Sequence, residues 1–244
     1  MGKIIRPAAL TVAVFVLMLF ASCGGTNDAV SSAALPNRDN SYTVVLQKYT
    51  NADGSIDIEY PCIDGLYDEN IQNYYNALFK SRFEDYISGE NTEEFLCKYY
   101  VTLKTAEVLS IVFRCEAPYA SPHPYRFAYA YNINLETGET FIPSDKIDAG
   151  KAAENFASGE NWEIVYSPDD NYDNKKAYAE CYEEQSVSSA IKENDVVAVK
   201  KSSGSEYSKS GAVECRSYLD ENSEPVVILE VWHAVGDYVE IKFN

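Results

Sequence analysis

Histidine is the scarcest chemistry-bearing residue in this 244-residue chain, with two copies, His123 and His233. No HExxH, GxSxG or comparable signature surrounds either of them, so no familiar hydrolase motif is present. A catalytic pair would require the two loops that carry them to meet. Flanked by Pro122 and Pro124, His123 reads first as a loop-shaping or contact residue. The six cysteines include no Cys-x-x-Cys or other zinc-type spacing, which argues against a metal cluster or a redox motif. Basic residues are also short, 20 against 38 acidic, for a formal charge of -18. That balance argues against nucleic acid and anionic lipid surfaces as partners, because each would be repelled. It suits basic proteins, cationic peptides or metal ions, or a surface that only keeps the chain soluble.

One long apolar run exists, and it is short by membrane standards. Pro7 to Phe20 falls below the roughly 20 apolar residues that a spanning helix needs. Lys3 and Arg6 precede the run, and Ala21 and Ser22 lead from it into Cys23. This is the layout of a lipoprotein signal peptide, residues 1–22, with Cys23 as the lipidated residue. Phe20 stands where such signals usually carry Leu. The alternative is an ordinary signal peptide cut nearby, leaving a secreted protein. Either reading places the chain outside the cytoplasm, and the first anchors it to a bacterial membrane. Removing residues 1–22 takes Lys3 and Arg6 and no acid, so the charge becomes about -20. Residues 23–40 are small and polar, as a flexible tether would be. With Cys23 lipidated, Cys62, Cys97, Cys115, Cys181 and Cys215 remain, an odd number. An extracytoplasmic site permits disulfides without requiring them.

From residue 41 the pattern is that of an α+β domain, helices packed on a largely antiparallel β-sheet, with 41–148 and 149–244 as its two halves. Tyr42–Tyr49 and Ser55–Tyr60 read as strands around the turn Asn51-Ala52-Asp53-Gly54. Asp68 caps a helix whose apolar positions, Ile71, Tyr74, Tyr75, Leu78, Phe79, Phe83, Tyr86 and Ile87, recur at three- and four-residue steps until Gly89. Two alternating strands follow. A hairpin turning near Ala106 would set Leu103 opposite Leu109 and Cys97 opposite Cys115, a pairing that could form a cross-strand disulfide. Tyr125, Phe127, Tyr129, Tyr131, Ile133 and Leu135 share one face of the next strand, with Arg126, Ala128, Ala130, Asn132 and Asn134 opposite. Val196–Lys200, Ala212–Leu219, Val226–His233 and Tyr238–Phe243 read as closing strands, the last pair turned by Gly236-Asp237.

Asp169, Asn171, Asp173 and Glu180 occupy positions one, three, five and twelve of a calcium-loop pattern. Asn174 replaces the usual glycine, Lys176 the usual apolar residue, and the preceding segment looks like strand. The same residues also read as an exposed acidic loop capping a helix around Ala177. No other cofactor is indicated. Of the 20 tyrosines, most sit at core spacing. Tyr119 and Tyr125 instead flank the Ser121-Pro122-His123-Pro124 loop, and Tyr119, Ser121, His123 and Tyr125 form the candidate ligand-contact set.

Three segments together carry a resemblance. Ile56–Lys80 runs from a strand through Tyr60-Pro61 and Gly65-Leu66 into a helix bearing Asn. Ser110–Ile147 holds Tyr119-Ala120-Ser121-Pro122-His123-Pro124 and then Asn132-Ile133-Asn134-Leu135-Glu136-Thr137-Gly138-Glu139. The end supplies Val231-Trp232-His233-Ala234-Val235-Gly236-Asp237-Tyr238. The chain resembles the extracytoplasmic RsiV/PdaC-like domain, found in lysozyme-sensing anti-sigma factors and beside the catalytic domain of certain peptidoglycan deacetylases. It departs from that family in lacking glycine-rich sequence before His123-Pro124. The metal-binding Asp-Asp and His-x-x-x-His pattern of a deacetylase domain is absent. The resemblance implies a non-enzymatic binding module for lysozyme or another cationic envelope ligand. A peptidoglycan-modifying enzyme or accessory, and a purely structural surface lipoprotein, are the alternatives.

Overall fold

The computed structural model describes residues 41–119, 123–170, 174–182, 184–193, 197–198 and 212–244. It starts with an antiparallel hairpin, β1 (Thr43–Thr50) and β2 (Ile56–Asp64), whose turn is held by the Asn51 side chain accepting from the Ile56 N–H at 3.0 Å. Asp68 then caps α1 (Glu69–Ser81), accepting from the Asn70 and Ile71 N–H groups, which satisfies two of the donors a helix start leaves unpaired. The aromatic periodicity through Ile87 suggested one helix, yet the chain breaks at Arg82-Phe83 and restarts as α2 (Glu84–Ser88). The break lets Phe83 pack on Tyr60, Phe95 and Phe113 while Arg82 turns to Glu214. Burial of one large aromatic, worth about 1.5–3 kcal/mol, and an ion pair override local helix preference.

The helices return the chain so that β3 (Phe95–Lys104) lies parallel to β2; β4 (Val108–Ala117) and β5 (Tyr125–Asn134) follow antiparallel, in the order β1-β2-β3-β4-β5. Cys97 does oppose Cys115, and the two are joined by a disulfide. Leu103, however, faces Ser110 rather than Leu109, because the register shifts by one residue between Val101 and Leu103. Thr102 at that bulge bonds the Ser110 hydroxyl at 3.1 Å.

The second half begins with α3 (Ala149–Ser158), capped by Asp148, then β6 (Trp162–Tyr166), α4 (Lys175–Glu180) and α5 (Glu184–Glu193). The short pair β7 (Val197–Ala198) and β8 (Val213–Glu214) precedes β9 (Ser217–Leu219), β10 (Pro225–Glu230) and β11 (Tyr238–Phe243). These last three form with β6 an antiparallel sheet ordered β6-β11-β10-β9. The expected strand Val226–His233 stops at Glu230, and His233–Val235 is a 3-10 turn.

Four layers result. Helix α1 packs Ile71, Tyr75, Leu78 and Phe79 against Ile111, Phe113 and Tyr131 of the first sheet. The other side of that sheet, Val112, Ala128 and Ala130, meets Tyr218, Val226, Ile228 and Tyr238 of the second. The far side of the second sheet, Val227, Leu229, Val239 and Ile241, is covered by Ala152, Phe156, Val187 and Ile191 from α3 and α5. The fold is therefore α+β, as its alternating pattern implies. Small Ala128 and Ala130 let the sheets approach, and a buried polar line seals them: Ser110 donates to Asn132 at 2.7 Å, and Asn132 donates to the Ser217 carbonyl at 2.8 Å. Among the described residues no helix is long and apolar enough to cross a membrane.

Candidate functional site

At one end of the sheets, the loop between β4 and β5 meets the turn between β10 and β11. His123, from the first, stacks on His233, from the second, with ring centroids 3.7 Å apart and planes inclined by 23°. Tyr119 lies 4.8 Å from the His233 ring and 6.1 Å from Tyr125. Tyr119 itself is largely exposed, at 57%, as is Trp232 beside it in sequence to His233. Of the four candidate contact residues, Tyr119, His123 and Tyr125 thus gather in one place. Ser121 lies outside the described residues.

A residue that the sequence reading did not nominate organises this end of the fold. Asp237 is 2% exposed, and its Oδ1 lies 2.6 Å from His233 Nδ1. Its Oδ2 accepts from the Arg126 backbone N–H at 3.0 Å, so one carboxylate ties the β10–β11 turn to the start of β5. The turn works because Gly236 (φ 109°) and Asp237 (φ 70°) both adopt left-handed backbone. Asp tolerates that region better than most residues. Arg126 is drawn into the same network by Glu116, at 3.3 Å, and by Asp169. Burial opposes its charge, but the Asp169 hydrogen bond and both carboxylates raise the Arg126 pKa above its ordinary value. The available sequence signal was the spacing His233-x-x-x-Asp237 across Gly236.

His123 Nδ1 lies 3.2 Å from the Pro124 carbonyl, which makes that nitrogen the donor. His233 Nε2 is buried and has no hydrogen-bond partner among the described residues. One donor atom each from His123, His233 and Asp237 lie within 4.8 Å of one another. Beside them opens a cleft of about 410 Å³, lined by Glu94, Phe95, Glu116, Tyr119, His123 and Pro124.

Of the calcium-pattern residues, Asp169 is engaged by Arg126, and Glu180 lies 3.9 Å from Lys176 on the exposed side of α4. Asn174 caps that helix by accepting from the Ala177 N–H at 3.3 Å. Asn171 and Asp173, like Cys23, fall outside the described residues. Beyond the Cys97–Cys115 bridge, Cys62 and Cys181 are half-buried thiols and Cys215 is a buried one. Burial pushes the Cys215 thiol up to about 11, which makes it inert at neutral pH.

No protein family matches the sequence of the chain, and no curated protein matches it. Among solved structures, the chain is similar to the crystal structure of a member of the DUF3298 family from Bacteroides fragilis NCTC 9343. That likeness spans 83% of this chain and 89% of that one, at 13% identity and a TM-score of 0.41.

Proposed function

We propose that this chain is an extracytoplasmic lipoprotein, anchored to a bacterial membrane through Cys23, whose α+β domain binds a cationic envelope ligand without transforming it. A lysozyme-like basic protein is the first candidate. The observation that carries the reading is the aromatic cluster of Tyr119, His123 and Tyr125 beside a cleft whose lining includes Glu94 and Glu116. Tyrosine gives broad contact area at small entropic cost, and the Glu94 carboxylate in the cleft complements a basic surface. The formal charge of about -20 left after removal of residues 1–22 would steer a cationic partner toward the domain. The sequence resemblance to the RsiV/PdaC-like domain supports the same choice of ligand.

The test is binding of the full chain, in detergent, to a C-type lysozyme at low and at physiological salt. Saturable one-to-one binding that survives physiological salt, and weakens at least tenfold in Tyr119→Ala and His123→Ala, is the expected result. Binding that vanishes with salt would reduce it to attraction between an acidic and a basic protein. A second reading, an envelope enzyme or accessory acting on peptidoglycan, is favoured by the His233–Asp237 pair, which has the geometry of a base and its orienting carboxylate. Acetate or fragments released from purified cell wall would support it. Neither binding nor release would leave a structural lipoprotein.

A further inference from the structure

We propose that His123, His233 and Asp237 form a binding site for a divalent transition metal of the zinc class. The inference stands apart from the choice of protein ligand above, since it rests on the three side chains alone. Two imidazoles, one of them backed by a carboxylate, are a donor set that zinc and its neighbours accept, with further positions left for water or substrate. The donor atoms lie within 4.8 Å of one another. Donors around a tetrahedral zinc at about 2.0–2.2 Å are separated by about 3.4 Å, so binding takes a contraction of about an ångström and a rotation of the His123 and His233 rings out of their 3.7 Å stack, so that their lone pairs converge.

Three features go beyond proximity. His233 Nε2 is a buried polar atom with no partner among the described residues, a cost that a metal bond or a hydrogen-bond donor would relieve. His123 is turned so that Nδ1 faces the Pro124 carbonyl, which leaves Nε2 as its lone-pair nitrogen. That backbone bond is the kind of outer contact that orients metal-bound histidine. Asp237 holds His233 Nδ1 through Oδ1 at 2.6 Å and is itself held by the Arg126 N–H through Oδ2 at 3.0 Å, so its buried carboxylate is the outer partner that orients His233 for bonding through Nε2. His123 also lines the 410 Å³ cleft, so an exogenous ligand could approach the metal from that side. The acidic balance of the chain, 38 acids to 20 bases, favours cation entry.

The experiment is equilibrium dialysis of the full chain in detergent against zinc at physiological salt, repeated with millimolar calcium present. Cobalt serves as a spectroscopic reporter of nitrogen ligation. The expected result is one equivalent of zinc per chain that calcium does not displace, with cobalt absorption of a low-coordinate site. Affinity should fall at least tenfold in His123→Gln, in His233→Gln and in Asp237→Asn. His123→Gln lies on a partly exposed loop and decides the matter if the other two variants fail to fold. Absence of stoichiometric zinc, displacement by calcium, or unchanged affinity in a folded His123→Gln would each overturn the site.

Discussion

Arg114 and Glu240, 126 positions apart in sequence, form a two-pronged ion pair between the two sheets, with both nitrogen–oxygen distances at 2.8 Å. Glu240 is completely buried, and Tyr218 donates to the same carboxylate at 2.6 Å. The Arg114 guanidinium lies 3.5 Å from the Tyr166 ring and 4.6 Å from that of Tyr100. Burial opposes its charge, yet the Glu240 carboxylate more than offsets this and raises the Arg114 pKa. Burial, reinforced by Glu240, raises the pKa of the Tyr218 hydroxyl as well. Removing one partner strands the other charge between the sheets. Arg114→Ala and Glu240→Ala are each expected to cost about 3–5 kcal/mol. The double change Arg114→Met with Glu240→Met should cost less than the two single losses added together. Urea unfolding of the four proteins checks both statements.

The Cys97–Cys115 bridge closes a loop whose ends are 18 residues apart. A cross-link of that span restricts the unfolded chain, and its removal by the pair Cys97→Ala and Cys115→Ala should cost about 2–4 kcal/mol. Non-reducing peptide mapping should find these two residues joined and Cys62, Cys181 and Cys215 free. A bridge from Cys97 to Cys181 or Cys215 would contradict the strand register.

Asp220 accepts from Lys242 at 2.7 Å and from the Asn222 and Glu224 backbone N–H groups. Burial pushes its pKa upward, but the Lys242 and backbone hydrogen bonds outweigh burial and hold it below the usual carboxylate value. A lowered folded pKa means the folded state favours the ionised form. The resulting stability is present above the unfolded carboxyl range, near pH 4, and is lost as pH falls below it. Asp220→Asn should therefore destabilise by about 1 kcal/mol at pH 7. The difference from the parent should shrink toward pH 3, as followed by unfolding at both values.

Gly236 holds a φ of 109°, and a Cβ there would lie 3.2 Å from Asp169 Oδ2. Gly236→Ala combines backbone strain with displacement of the acid that engages Arg126. A loss of about 1–3 kcal/mol is expected, together with a changed ring signal for His233 by NMR. An unchanged melting temperature and an unchanged His233 signal would mean that this turn does not need glycine.

The local elements were legible because their cause is local. Alternation along Tyr125–Asn134, the Asp68 cap and the apolar spacing of Ile71, Tyr75, Leu78 and Phe79 depend on neighbours a few residues away. The opposition of Cys97 and Cys115 was readable for the same reason, as hairpin arithmetic. The bulge near Thr102 was not, because it answers to Ser110 and to the polar line between the sheets. The end of α1 at Ser81 likewise answers to distant partners, Phe113 and Glu214.

Sequence by itself determined the α+β class, the two faces of each strand and the identity of both histidines. A period of two separates those faces but cannot say that a second sheet will cover the one bearing Ala128, Ala130 and Asn132. It cannot say that Glu240, charged and in a strand, will be completely buried against Arg114. The meeting of His123 with His233, and the placing of Asp237 behind them, were decided by the tertiary structure alone. Those contacts form only when the stacked sheets bring the β4–β5 loop and the β10–β11 turn to the same end of the fold.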